Sequence, residues 1–132
     1  ALGGLVAVTA GPDQYDIYTP ILIGAIGGAL VVLFVPIFDK FKMDDPVGAL
    51  SVHLINGIWG TLAVGIFVAD VSVMSQLKGI VVVGLIVFPL SWITIYLINK
   101  IFVLRAGDEE QLEGIDATEC GIESYPEFKR SI

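Results

Sequence analysis

The chain of 132 residues has one cysteine, one histidine and seven basic side chains. With Cys120 alone no disulfide can close within the chain, and with His53 alone there is no Cys/His cluster of the kind that holds zinc or iron. Nor is there a glycine loop of the phosphate-binding type or a Ser/His/Asp set, so the residues point to no enzyme chemistry, no cofactor and no metal site. Fourteen acids outnumber the bases and leave a net charge of -7. That balance argues against nucleic acid phosphates or an anionic lipid surface as partners. Charge of either sign is scarce: 16% of residues are charged against 55% hydrophobic, with a mean hydropathy of +0.85. A water-soluble globule is excluded on those proportions. No basic segment precedes the apolar opening Ala1 to Ala10. It therefore does not read as a signal peptide but as the end of a helix, and the chain as the C-terminal piece of something longer.

What the sequence does have is three uncharged runs: Ile17 to Phe38, Pro46 to Ala69, and Gly79 to Asn99, the last continuing apolar past Lys100 to Leu104. Each meets the need for about 20 residues to cross a hydrocarbon core of roughly 30 Å at about 1.5 Å per residue. The expected fold is an all-α membrane protein, a polytopic helical bundle. Its membrane portion covers 1–105, with a truncated helix end at 1–11 and spans at 17–38, 46–69 and 79–104. The remainder, 106–132, holds eight acids and two bases and is an acidic tail. Lys40 and Lys42 lie between the first two spans, and Lys100 and Arg105 end the third, whereas the loop from Asp70 to Lys78 carries one base. Because Lys and Arg near span ends favour the cytoplasmic side, the Lys40 loop and the tail are expected in the cytoplasm of a multi-pass cell-membrane protein.

Small residues recur at helical spacing. Gly24 and Gly28 make a GxxxG pair, and Gly57, Thr61 and Gly65 repeat every fourth position, which lets helix backbones approach closely. Pro36 and Pro89 each remove a backbone donor inside a span and predict a bend. In the tail, Asp108 with Gln111 and Asp116 with Glu119 read as helix starts, punctuated by Gly107, Gly114 and Gly121.

His53 is the most informative residue, as the only ionisable side chain between Pro46 and Ala69. With a helix starting at Pro46 it lies about 10 Å into the membrane. An ionisable group at that depth faces a bundle interior or an aqueous path, and points to function; the alternative is a neutral imidazole bonding a neighbouring helix. Helical spacing places Ala49, Asn56, Gly57 and Gly60 on or near its face. Asp45 suits the cap of this helix, with Pro46 at the first helical position, where no donor is missed. A direct role for Asp45 in binding a cation at the cytoplasmic mouth is the other reading. Trp59 and Trp92 read as packing or lipid contact.

The stretch from Asp44 to Phe67, DDPVGALSVHLINGIWGTLAVGIF, resembles the tenth transmembrane helix of the ammonium transporters of the Amt/Mep/Rh superfamily. GLVAVTAG at Gly4 to Gly11 is similar to the end of their eighth helix, GAIGGALVV to the ninth, and GIDATECGIESYPEF, from Gly114 to Phe128, to the cytoplasmic tail of bacterial-type members. The resemblance implies an eleven-helix inverted-repeat fold, of which this chain is the C-terminal third, assembled as a homotrimer in the lipid bilayer with a pore through each subunit. It further implies that His53 is the second of two pore histidines that handle ammonium and ammonia, and that Ala49 lines the pore below it. Asp45 matches the aspartate heading the helix. The same resemblance implies a PII signal protein as partner at the cytoplasmic face and tail. Two positions depart from the pattern: Leu54, where many members have glycine, and Cys120, where the tail often has histidine. Beside transport, an ammonium sensor or interaction protein signalling through the tail stands as the alternative, and a nonfunctional truncation product as a third reading.

Overall fold

A computed structural model describes residues 1–122; the end of the tail, 123–132, including the last part of the GIDATECGIESYPEF segment, lies outside the described residues. The helices are α1 (Leu2–Val8), α2 (Thr19–Lys40), a π-helical turn (Ala49–Leu54) that runs directly into α3 (Ile55–Phe67), α4 (Val73–Asn99), α5 (Asp108–Glu113) and α6 (Ile115–Thr118). There is no strand among the described residues, and the all-α expectation is met. Three helical stretches are long and apolar enough to cross a membrane: Thr19–Lys40, Ala49–Phe67 and Val73–Asn99.

Helix ends differ from the uncharged runs for identifiable reasons. α4 begins at Val73, six residues before Gly79, because Lys78 ends an uncharged run without interrupting an i to i+4 ladder. At the other end Asn99 closes the helix, its side-chain oxygen accepting the Leu104 N–H at 3.3 Å. α2 starts at Thr19 under Asp16, whose Oδ1 accepts the N–H groups of Tyr18 and Thr19 at 3.0 and 2.7 Å. Those bonds, the Thr19 ones first, hold the Asp16 carboxyl below its ordinary pKa. Pro36 and Pro89 lie inside α2 and α4.

The chain forms two compact units, Ala1–Val87 and Phe88–Ile132. In the first, α1, α2 and α3 pack together around Ala7, Ile23 and Ala63, with Val8, Tyr15 and Trp59 against them. Lipid tails are as apolar as these side chains, so the fit of backbones rather than water exclusion decides which helix faces meet. Glycine makes that fit. A methyl group on Gly60 would strike the Ala7 carbonyl, and one on Gly27 would stand 2.8 to 2.9 Å from Asn56 Oδ1, Ala7 Cβ and the Gly3 carbonyl. The GxxxG expectation is thus shifted by one residue. Gly24 faces Gly4, but its working partner on α2 is Gly27, while Gly28 has open space in front of it. On α3, Asn56, Gly60, Ala63 and Val64 form the buried face, and Gly57 has open space before it; Gly65 does allow a close approach, since a methyl group there would stand 2.7 Å from Val73 Cα at the start of α4. One polar bond ties the helices, from Trp59 Nε1 to the Ile23 carbonyl at 3.1 Å. Beside them the Tyr15 hydroxyl is buried, and burial pushes its pKa up.

In the second unit, Trp92 and Tyr96 stack with ring centroids 5.6 Å apart, and the Lys100 ammonium sits 4.7 Å from the Tyr96 ring centre. The tail then makes two short helical pieces, α5 between Gly107 and Gly114 and α6 between Gly114 and Gly121. Glycines take the cap positions where Asp108 and Asp116 were expected. Asp108 is the first residue of α5, and the reach-back bond comes from Glu110, whose Oε2 accepts the Gly107 N–H at 2.6 Å.

Candidate functional site

The segment leading to His53 is built from Asp45 onward. Asp45-Pro46-Val47-Gly48 is a tight turn closed by the Gly48 N–H on the Asp45 carbonyl at 3.2 Å, with aspartate, proline and glycine at the first, second and fourth positions that favour such turns. Gly48 leaves it at φ 73°, a left-handed conformation that costs glycine little, so the helix starts at Ala49 and not at Pro46. Pro46 is a turn residue, and Asp45 lies upstream of the cap position. Its carboxylate nevertheless reaches forward over the turn. Oδ1 accepts the Leu50 N–H at 3.0 Å, and Oδ2 accepts the Ser51 N–H at 2.9 Å and the Ser51 hydroxyl at 2.8 Å. The Ser51 N–H, with help from Leu50, holds the Asp45 carboxyl below its ordinary pKa against the opposing effect of desolvation.

The first turn is wound wide. Gly48 C=O accepts both the Val52 N–H at 2.9 Å and the His53 N–H at 3.1 Å, and Ile55 N–H reaches back five residues to Leu50 C=O. Such π-helical turns are rare and are frequent at functional sites. With Ala49 as the first helical residue, His53 lies about 6 Å along the helix, not about 10 Å.

The wide turn also redistributes the faces. His53 and Ala49 are exposed, and Gly57 has open space before it, while Asn56 and Gly60 are buried against α1 and α2. The face expected to hold all five is therefore split: His53, Ala49 and Gly57 lie on the open side, Asn56 and Gly60 on the packed one. Leu54, beside His53, is 49% exposed and does not crowd the bundle. An apolar groove between α1 and α2, lined by Gly4, Val8, Pro20, Gly24 and Gly28 among others, includes no residue of the His53 turn.

Two residues of the site were not singled out by sequence reasoning. Ser51 is 2% exposed and Asn56 fully buried, and the Asn56 Nδ2 donates to the Ser51 carbonyl at 3.4 Å. Ser51 gives no signal, because a lone serine in a span is ordinary; Asn56 is one of only two carboxamides in the three uncharged runs, and helical spacing marks it only as a neighbour of His53. Cys120, in the tail, is exposed with a free thiol. Among the described residues no group of three His, Cys, Asp or Glu side chains is placed to hold a metal ion.

The family model described as the Ammonium Transporter Family matches residues 1–125, nearly the entire chain. The chain belongs to that family. Among its relatives, the ammonium transporter Amt1 of Haloferax mediterranei is 37% identical over 136 residues, covering 96% of this chain and 26% of the relative. The ammonium transporter of Bacillus subtilis is 33% identical over 144 residues, covering 95% of this chain and 35% of the relative. The ammonium transporter Amt2 of Archaeoglobus fulgidus is 27% identical over 148 residues, with 97% and 32% coverage. The chain thus spans about a quarter to a third of the length of the curated family relatives it matches.

Proposed function

We propose that this chain is the C-terminal third of a membrane transporter that moves ammonium or ammonia through a pore lined by His53. The observation that carries the reading is the placement of His53. It is the only histidine, it sits in a membrane-length helix, and it is exposed on the open side of a segment whose opposite side is packed. An imidazole inside a membrane is costly unless it meets a polar partner or an aqueous path, and a neutral ring offers that path one donor and one acceptor. Ala49 and Gly57 on the same side leave room for a small molecule to pass. Asp45 sets where the helix begins at the cytoplasmic mouth, and thereby how deep the ring lies. In this reading the protein is a multi-pass protein of the plasma membrane with its C-terminus in the cytoplasm, works as a homotrimer, and offers its cytoplasmic face and acidic tail to a PII signal protein.

Substituting His53→Ala in the complete transporter tests the pore assignment. Methylammonium uptake into cells, corrected for the amount of folded protein, is expected to fall roughly tenfold, the upper range for losing a hydrogen bond to the passing species. Uptake equal to that of the unsubstituted protein removes His53 from the pore.

A further inference from the structure

Resting on the pore reading of His53, we propose that Asn56 and Ser51 are positioning residues for its imidazole: together they hold the π-helical turn that keeps the ring on the open side of the helix. In an uninterrupted α-helix, His53 would share a face with Asn56, Gly57, Gly60 and Val64, three, four, seven and eleven residues on. Of these Asn56, Gly60 and Val64 are buried against the other helices. The ring would then press into α1 and α2. His53 lies inside the wide turn, one residue before its end, so part of the roughly 100° of rotation that an extra residue brings falls between the ring and α3 and turns it away from that contact.

A turn wound this way persists only where its surroundings hold it. On the N-terminal side the Asp45 carboxylate takes both the N–H and the hydroxyl of Ser51 and the N–H of Leu50. On the C-terminal side Ile55 N–H still reaches back to Leu50, so the Ser51 carbonyl stands where the spacing changes from five to four. Asn56 Nδ2 donates to that carbonyl. The Asn56 carboxamide is itself fixed, fully buried in a notch between Gly3 of α1 and Gly27 of α2. Its Oδ1 has no hydrogen-bond partner, and a buried unpaired oxygen is destabilising. A leucine would fill the same notch without that oxygen, so packing does not account for an amide there, whereas the bond to Ser51 does. Asn56 therefore links the α1–α2 contact to the turn that carries His53.

The test uses the complete transporter. Asn56→Leu is expected to lower the maximal rate of methylammonium uptake per folded molecule roughly tenfold. Ser51→Ala, which leaves both backbone donors to Asp45 in place and so preserves the fold, is expected to lower it about threefold, the loss of one hydrogen bond. The geometric readout is the rate at which a water-soluble thiol reagent labels His53→Cys in a cysteine-free background. Adding Asn56→Leu or Ser51→Ala is expected to slow that labelling by a similar factor, as the side chain turns toward α1 and α2. Should Asn56→Leu fail to fold, Ser51→Ala decides. Unchanged labelling, or full uptake in Ser51→Ala and Asn56→Leu beside a defective His53→Ala, overturns the positioning role and leaves the pore reading standing. Full uptake in His53→Ala overturns the pore reading, and this inference with it.

Discussion

α2 and α4 are both uninterrupted apolar helices, of 22 and 27 residues, each with a proline inside. Yet α2 buries Ile23 and Gly27 against its neighbours, while within this chain α4 contributes no buried residue. Apolarity is therefore not what packs a membrane helix. It determines that a helix resides in lipid, whereas association depends on small residues at the right steps and on a few polar atoms that find partners. α2 has both, in Gly24 and Gly27 and in the Ile23 carbonyl that accepts the Trp59 indole N–H. α4 has Gly79 and Gly84, but each has open space before it, and the Thr94 hydroxyl is satisfied by the Leu90 carbonyl of its own helix. The starts of the spans differ too: carboxylates of Asp16 and Asp45 accept backbone N–H groups at the starts of α2 and the π-turn, while among the described residues no side-chain hydrogen bond reaches the start of α4.

The largest effect that separates the two kinds of helix is expected at Gly60. Gly60→Val drives a side chain into the Ala7 carbonyl, so the loss in unfolding stability of the detergent-solubilised complete protein should reach about 3 kcal/mol, the upper end for overpacking. Gly84→Val on α4, which has open space before it within this chain, should cost less than Gly60→Val. Equal losses at the two positions would break the comparison. A smaller contrast is expected at the tryptophans. Trp59→Phe removes the indole donor to Ile23 C=O and should cost about 0.5 to 1.5 kcal/mol by the same assay, more than Trp92→Phe, which keeps an aromatic ring stacked on Tyr96. The finest contrast is in pH. Asp16 and Asp45 have folded pKa values below the ordinary aspartate value near 3.9, so their contribution is complete above it and is lost as pH falls through the depressed values. Hydrogen exchange in acid should show the starts of α2 and of the π-turn loosening before that of α4. An α4 start that loosens along with them would show that the carboxylates are not the cause.

Much of this architecture is legible in the residues, because crossing a membrane is a demand on composition over about 20 positions, and each run meets it on its own. The places where the reading moved are those where a single residue's backbone mattered. Asp45, Pro46 and Gly48 are each recognisable, but a proline after an aspartate suits both a first helical turn and a tight turn, and only the left-handed Gly48 chooses between them. The choice moved the helix start three residues on and left Asp45 to cap it from a distance. Gly27 rather than Gly28 makes the close contact for a related reason. A run of GAIGGA offers glycines at three and four residues' spacing, both compatible with a helix face, and the partner helix selects one.

By itself, the sequence determined the helical class, the three membrane-length segments, the acidic tail and the singular status of His53, since each follows from local composition and the cost of burying charge in lipid. Only the tertiary structure decided which way His53 faces. An α-helix carries its side chains in a period that can be counted along the chain, and counting put His53 with Asn56 and Gly60. The π-turn breaks that count by one residue, and it is held by atoms that come together only in the fold: the Asp45 carboxylate, the Ser51 hydroxyl and an Asn56 amide lodged between two glycines of other helices.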